Sequence, residues 1–215
     1  MKRLFTLLAG VLVLTAAWSQ QKATLDSKVF VPAENLMTRG AMTRSITTQD
    51  DQVWWNNYDA SEGAWVKRVA AGHYDLAVYL TYDVVGGKGI TIDGLNFWGF
   101  DKMSNVKIWA STTLPASCDQ ADLEVKALAE IQSYYSNETS FDNKHEIPEN
   151  GLYVGFSFDL AETAAVITYT TFGDNREGAF LLNPGGSGWQ QQEGSLTLRV
   201  LFGGNVHVRV WLKDS

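Results

Sequence analysis

The stretch Tyr74-Asp75-Leu76-Ala77-Val78-Tyr79-Leu80-Thr81 decides the fold class of this 215-residue chain. Its large apolar side chains recur at every second position, from Tyr74 to Leu80, and alternate with the set that begins at Asp75. Side chains of a β-strand point alternately to two faces of a sheet, so this period of two predicts a half-buried strand.

The same alternation returns along much of the chain. Turn residues such as Asn183-Pro184-Gly185-Gly186 separate the runs. Many short strands with turn signals between them predict an all-β fold, an antiparallel β-sandwich that is jelly-roll-like. The further strands are expected within residues 106–110, 152–158, 196–202 and 206–212. Residues 121–133 fit either a mixed helical pattern or a strand, and their strict alternation favours the strand.

The stretch from Gly89 to Phe100 changes its parity. Ile90 and Ile92 share one parity, whereas Leu95 and Phe97 share the other. One extra residue at Asp93-Gly94 would return all four side chains to the same face. The sequence therefore predicts a β-bulge there, with Gly94 as part of it.

The two ends of the chain predict its organisation. Residues 1–19 begin with Lys2 and Arg3, continue with an apolar run and end at a small-residue site, which is the pattern of a cleaved secretory signal peptide. Residues 20–50 are interpreted as a flexible or extended N-terminal segment, and residues 51–215 as a single β-sandwich domain. We expect an exported protein, either periplasmic or extracellular at the cell surface.

Charge and cysteine content limit the possible partners. The chain has 17 Lys and Arg against 24 Asp and Glu, a net charge of −7. Nucleic acid requires a basic surface, so we expect no nucleic-acid partner, and no segment after the leader is long and apolar enough to predict a membrane span. The one cysteine, Cys118, is expected to be a small apolar residue of the core or of a loop.

No pattern of catalytic residues is evident, and the sequence predicts a protein that is not an enzyme. The three histidines, His73, His145 and His207, are far apart and lack the closely spaced partner of a zinc site. The run Gly185–Gly188 resembles a nucleophile elbow only in part, because Trp189 stands where the closing glycine should be.

Several segments resemble one family in their order and turns. They are residues 72–80, 89–95, 105–115, 147–158 and Gly188-Trp189. Together they resemble β-sandwich modules of secreted and surface proteins of Bacteroidales-type bacteria, similar to cleaved-adhesin and galactose-binding-like jelly rolls, over residues 50–204. The resemblance implies an exported non-catalytic module. It requires no cofactor, although a structural calcium ion held by loop aspartates is plausible in such folds.

Aromatic residues suggest a ligand site. Flat rings stack on the apolar faces of sugars, and the cluster Trp54–Asp59 combines rings with amides and a carboxylate. Adjacent strand residues point to opposite faces, so one of Trp54 and Trp55 is expected to face outward. The alternative, which is favoured for each ring taken singly, is packing beneath a loop or the N-terminal segment. The candidate ligand-binding residues are Trp54, Trp55, Tyr58, Asp59, Trp109 and Trp189.

Three functions remain in order of preference. The first is a binding or adhesion module whose ligand is unknown, with a glycan as the favoured class. The second is a protein–protein interaction module of the cell envelope that uses sheet edges, including the strand expected at residues 206–212. The third is a hydrolytic enzyme.

Overall fold

A computed structural model describes residues 29–31, 47–49, 52–57, 64–85, 87–171 and 176–203. The predicted leader and the predicted strand at residues 206–212 lie outside these ranges. The strands are β1 (Val29–Val31), β2 (Thr47–Gln49), β3 (Gln52–Asn56), β4 (Ala64–Val69), β5 (Gly72–Leu80), β6 (Thr91–Trp98), β7 (Met103–Ser111), β8 (Glu124–Ala127), β9 (Ser136–Glu146), β10 (Leu152–Leu160), β11 (Ala164–Thr170), β12 (Leu181–Pro184), β13 (Gln190–Gln191), β14 (Ser195–Leu196) and β15 (Leu198–Gly203).

Helical structure within the described ranges is limited to two single turns. One is an α-helical turn at Tyr82–Val85 and the other is a 3-10 turn at Cys118–Gln120. No helix in this part of the chain has the length and apolar character needed to cross a membrane.

Within the described ranges the strands form three antiparallel sheets, which confirms the predicted all-β sandwich class. Their orders are β1-β4-β11-β14, β13-β12-β5-β10-β7-β8 and β2-β3-β15-β6-β9. Two of the edge strands, β1 and β2, come from the segment that the sequence predicted to be flexible or extended.

One apolar core joins the three sheets. The alternating set of β5, from Tyr74 to Leu80, is at most 4% exposed and packs into it, as the period of two predicted. The rings of Phe97 on β6 and Phe156 on β10 stack at 4.5 Å between centroids and connect the five-stranded and six-stranded sheets. The other face of β5 therefore points away from the core.

The predicted β-bulge is present in β6. The register shifts between Ile92 and Gly94 against β9, and the pairing with β15 shifts at the same place. Ile92 and Leu95 are both completely buried as a result. A Cβ atom at Gly94 would lie 2.3 Å from the carbonyl oxygen of Thr139, so the close approach of β9 requires glycine here.

The strand favoured for residues 121–133 is also present, but it is short and its apolar side faces outward. Leu123 is 41% and Val125 is 37% exposed, whereas the side chain of Glu124 is 9% exposed. Glu124 turns inward because its carboxylate accepts hydrogen bonds from the backbone N–H of Asp142 at 2.7 Å and from His145 at 2.9 Å.

Candidate functional site

The side chains of the candidate site lie on the outer face of the six-stranded sheet, the face that is turned away from the core. The side chains of β5 and β10 that do not enter the core face one another across the strand pair. The register places them in four rows along the sheet: Tyr79 with Tyr153, Ala77 with Gly155, Asp75 with Ser157, and His73 with Asp159. One end of this face is therefore aromatic and the other end is polar.

A loop covers the middle of this face. Residues 112–121 connect β7 to the segment before β8 and lie over the fully buried ring of Trp109, where Cys118 packs against it. The ring of Trp189 lies beside Trp109 with 5.8 Å between centroids, and its Nε1 donates a hydrogen bond to the carbonyl oxygen of Pro115. We refer to residues 112–121 as the roof loop.

Charged and polar groups fix the roof loop in place. Asp122 accepts hydrogen bonds from the backbone N–H of Thr112 at 2.7 Å and the hydroxyl of Ser111 at 2.9 Å, which closes the loop at its base. The ammonium group of Lys107 on β7 lies 2.6 Å from the carboxylate of Asp119. The loop is therefore tied to the sheet at its base and along its span.

At the aromatic end, Tyr79 and Tyr153 stack with 4.5 Å between ring centroids. The hydroxyl of Tyr79 donates a hydrogen bond to the carbonyl oxygen of Asn150. A Cβ atom at Gly151 or Gly178 would lie 2.5 Å from Tyr79 atoms, and both glycines have φ near +80°, at +82° and +77° respectively. Gly151 thus lies against the Tyr79 ring and Gly178 against its Cβ, and both positions require glycine.

A pocket of about 630 Å³ opens beside this tyrosine pair. Leu114 of the roof loop and Leu181 of β12 supply apolar wall, while Arg176, Glu177 and Gln191 supply polar groups. The Arg176 guanidinium donates to the carbonyl oxygen of Tyr79 at 2.8 Å. The pocket therefore combines flat rings with charged and amide groups at its edge.

Tyr153 is a neutral hydroxyl in this pocket at physiological pH. Burial raises its pKa above the ordinary value of 10.0, and the neighbouring Tyr79 and Glu177 raise it further. A protonated phenol both donates and accepts hydrogen bonds, which suits an uncharged polar ligand.

The polar end of the face centres on His73. Its Nδ1 lies 2.7 Å from Asp159 Oδ1 and its Nε2 lies 2.9 Å from Asp75 Oδ1. Burial by itself would lower the pKa of His73, but the hydrogen bonds to Asp159 and Asp75 outweigh it, and the pKa is raised above 6.5. His73 is thus held between two carboxylates, one of which, Asp75, is completely buried.

Cys118 comes from the roof loop and lies beside this histidine, yet the two do not form a nucleophile–base pair. The thiol is completely buried, and burial raises its pKa to about 12, so it stays protonated at neutral pH. Both ring nitrogens of His73 already face carboxylates, which leaves neither to accept the thiol proton.

The structure separates the residues predicted to bind a ligand. Trp55 packs into the main apolar core, whereas Trp54 does not belong to that core, as expected for adjacent strand residues, yet Trp54 is only 3% and Trp55 7% exposed. The Arg199 guanidinium lies 4.9 Å from the Trp54 ring centroid, and Trp55 stacks with Phe202 at 6.5 Å. Neither ring is therefore open to solvent for stacking on a sugar.

The other predicted residues fall in different settings. Trp109 is completely buried beneath the roof loop, so the alternative of packing under a loop, rather than the ligand-binding one, describes this ring. Trp189 is half-buried beside it. Tyr58 and Asp59 lie outside the described residues. Tyr79, Tyr153 and Asp75 were not among the predicted site residues, and His73 was considered for a zinc site but set aside for lack of a closely spaced partner. Their shared parity on β5 and β10 was visible in the sequence, but a face turned away from the core gives no sign that a loop covers it.

Metal-binding potential is concentrated at one place. Within the described ranges, His73, Asp75 and Cys118 form the one group of three or more His, Cys, Asp or Glu residues whose ligand atoms converge, all within 4.8 Å of one another. This group mixes nitrogen, oxygen and sulfur ligands, whereas calcium takes oxygen ligands, including backbone carbonyls, so the calcium ion that the resemblance makes plausible stays a prediction.

Comparison with known proteins gave no match to a family model, a curated protein or a solved structure.

Proposed function

We propose that this chain is an exported, non-catalytic binding module and that its ligand is a carbohydrate. The observation that carries the proposal is the pocket of about 630 Å³ beside the stacked pair Tyr79 and Tyr153. Its volume lies within the range of roughly 300–1,000 Å³ that is usual for small-molecule sites.

The lining of the pocket suits a sugar. A sugar ring presents an apolar face of C–H groups and an edge of hydroxyls, so it needs flat apolar surface together with polar donors and acceptors. Tyr79, Tyr153 and Leu114 supply the first, whereas Glu177 and Gln191 supply the second. A small set of fixed polar groups in a mainly apolar pocket is the usual basis of ligand specificity.

The pocket is also preformed. Gly151 packs against the ring of Tyr79 and Gly178 against its Cβ, and the Gly178 N–H donates to the side-chain carbonyl of Gln191 at 2.8 Å. A site that is fixed before its ligand arrives loses less conformational freedom on binding.

A glycan array with the purified protein tests this proposal. We expect a reproducible hit that Tyr153→Ala weakens at least tenfold, because loss of a buried aromatic contact is worth on the order of 1.4 kcal/mol or more. Tyr135→Ala is the matched control, since Tyr135 is a 57% exposed tyrosine that does not line the pocket. A blank array from folded protein, or a hit that both variants bind equally, refutes the proposal.

A protein partner is the second candidate, and an edge strand favours it. The strand β8 lies at the end of the six-stranded sheet, and Leu123 and Val125 expose apolar side chains there. Exposed edges with apolar side chains are sites where a partner adds a strand. If Val125→Lys abolishes capture of a purified partner while the array stays blank, the protein-binding alternative replaces the carbohydrate one.

A further inference from the structure

The polar end of the outer face brings together three side chains that suit a transition metal. His73 and Asp75 stand two residues apart on β5 and therefore point to the same face. Cys118, which is 43 residues or more away in sequence, reaches them because the roof loop folds back over the sheet. The imidazole, carboxylate and sulfur ligand atoms all lie within 4.8 Å of one another.

Each of the first two groups is oriented by a neighbour. Asp159 holds His73 Nδ1 at 2.7 Å, which turns Nε2 toward Asp75 and Cys118. The side-chain amide of Asn183 donates to Asp75 Oδ2 at 3.2 Å and to the carbonyl oxygen of Ala116 at 2.9 Å. Histidine and carboxylate ligands of protein-bound metals are commonly oriented by such outer partners.

A buried hydroxyl provides an independent observation. Ser157 lies opposite Asp75 in the strand pair and is completely buried, yet its Oγ has no hydrogen-bond partner of acceptable geometry among the described residues. It borders the Cys118 thiol closely enough to affect the pKa of that group. Leaving a buried polar atom unpaired costs about 1–3 kcal/mol, so such an atom commonly marks a place where another group completes the structure.

We propose that His73 Nε2, an oxygen of Asp75 and Cys118 Sγ bind a Zn²⁺-class ion, with the Ser157 hydroxyl or solvent at the fourth position. Sulfur and imidazole ligands select zinc over calcium or magnesium, which prefer oxygen alone. Zinc bonds of about 2.0–2.3 Å place neighbouring ligand atoms roughly 3.3–3.6 Å apart. The 2.9 Å His73–Asp75 contact therefore opens by a few tenths of an ångström when the ion replaces the shared proton. The Cys118 thiol also loses its proton to solvent when it becomes the metal-bound thiolate, so binding releases protons and strengthens as the pH rises.

The ion would cross-link the roof loop to the sheet. Two of its ligands belong to β5 and the third to the loop that also supplies Leu114 to the pocket wall. Binding to the folded state alone stabilises a protein in proportion to the logarithm of free metal concentration. The proposal is independent of the carbohydrate ligand, because metal binding is measured without one.

The test uses metal-free protein without a histidine tag, titrated with Co²⁺ and then with Zn²⁺. We expect one ion per chain, a thiolate-to-cobalt charge-transfer band in the near ultraviolet, and a rise in melting temperature with Zn²⁺. Cys118→Ser should remove the band. Asp159→Asn, which replaces the orienting carboxylate by a neutral amide and leaves the three ligands intact, should weaken Zn²⁺ binding, and loss of such an outer partner typically costs about 10- to 100-fold.

A matched control is available elsewhere in the chain. His145 is also buried beside a carboxylate, with Nε2 at 2.9 Å from Glu124, but no cysteine joins this pair. His145→Gln should leave the cobalt band and the zinc affinity unchanged. If Cys118→Ser does not fold, His73→Gln replaces it, since the His73 side chain is 35% exposed and tolerates substitution more readily.

Two results overturn the proposal. One is folded protein that gives no thiolate band with Co²⁺ and no thermal shift with Zn²⁺, in which case the cluster is an ion pair beside a buried thiol. The other is zinc binding that Cys118→Ser and His73→Gln leave unchanged, which places the ion elsewhere.

Discussion

The ring of Trp109 supports the roof loop, so its truncation measures how much the covered outer face contributes to stability. Trp109 is completely buried among Ala77, Cys118 and Leu181, with Trp189 beside it. Replacement of a buried tryptophan by alanine costs about 3–5 kcal/mol, because it removes apolar contacts and leaves a cavity. We expect Trp109→Ala to lower the free energy of unfolding by that amount.

A second substitution separates the ring from its polar atom. Trp109 Nε1 is buried and has no hydrogen-bond partner within the described residues. Such an unpaired donor costs about 1–3 kcal/mol, and Trp109→Phe removes it together with part of the ring. The lost packing lowers the free energy of unfolding, whereas removal of the unpaired donor raises it. We therefore expect Trp109→Phe to lower the free energy of unfolding by about 1 kcal/mol or less.

Equilibrium urea unfolding followed by far-ultraviolet circular dichroism is the appropriate assay, since the substituted ring is itself a fluorophore. Trp189→Ala is the control, and its half-buried ring should cost less than that of Trp109. A loss below about 0.5 kcal/mol for Trp109→Ala, the range of ordinary surface substitutions, would refute the argument. So would equal losses for Trp109→Phe and Trp109→Ala.

Two further predictions concern other parts of the fold. Burial would raise the pKa of Glu124, but hydrogen bonds from Asp142, Asn143 and His145 outweigh it and lower the pKa below 4.5. Its contribution to stability is therefore present above pH 4.5 and lost as the pH falls through the lowered value. Urea midpoints measured from about pH 6 to pH 3 should show a shallower acid decline in Glu124→Gln, and an unchanged decline contradicts this assignment. Gly94→Ala should cost about 1–3 kcal/mol, because the new Cβ would meet the Thr139 carbonyl at 2.3 Å; a wild-type melting temperature would show that β9 moves aside freely.

Much of the fold follows from local sequence pattern. The period of two in residues 74–80 predicted both β5 and the set of side chains that enters the core, because strand geometry fixes the direction of each side chain relative to its neighbours. The parity change at Asp93-Gly94 predicted the bulge for the same reason. The pattern was less informative for β8, where hydrogen bonds to Glu124 turned the polar side inward.

The candidate sites depend on contacts between distant parts of the chain. The sequence placed Tyr79, Asp75 and His73 on one face of a strand, but only the register with β10 sets Tyr153 beside the first and Ser157 beside the second. Alternation also cannot show that a loop covers the face turned away from the core. The burial of Trp109 beneath the roof loop was therefore not predictable from the sequence pattern. The sequence by itself thus determined the strands and their inward faces, whereas strand register and loop closure, both long-range and set by packing, decided the pocket and the His73 cluster.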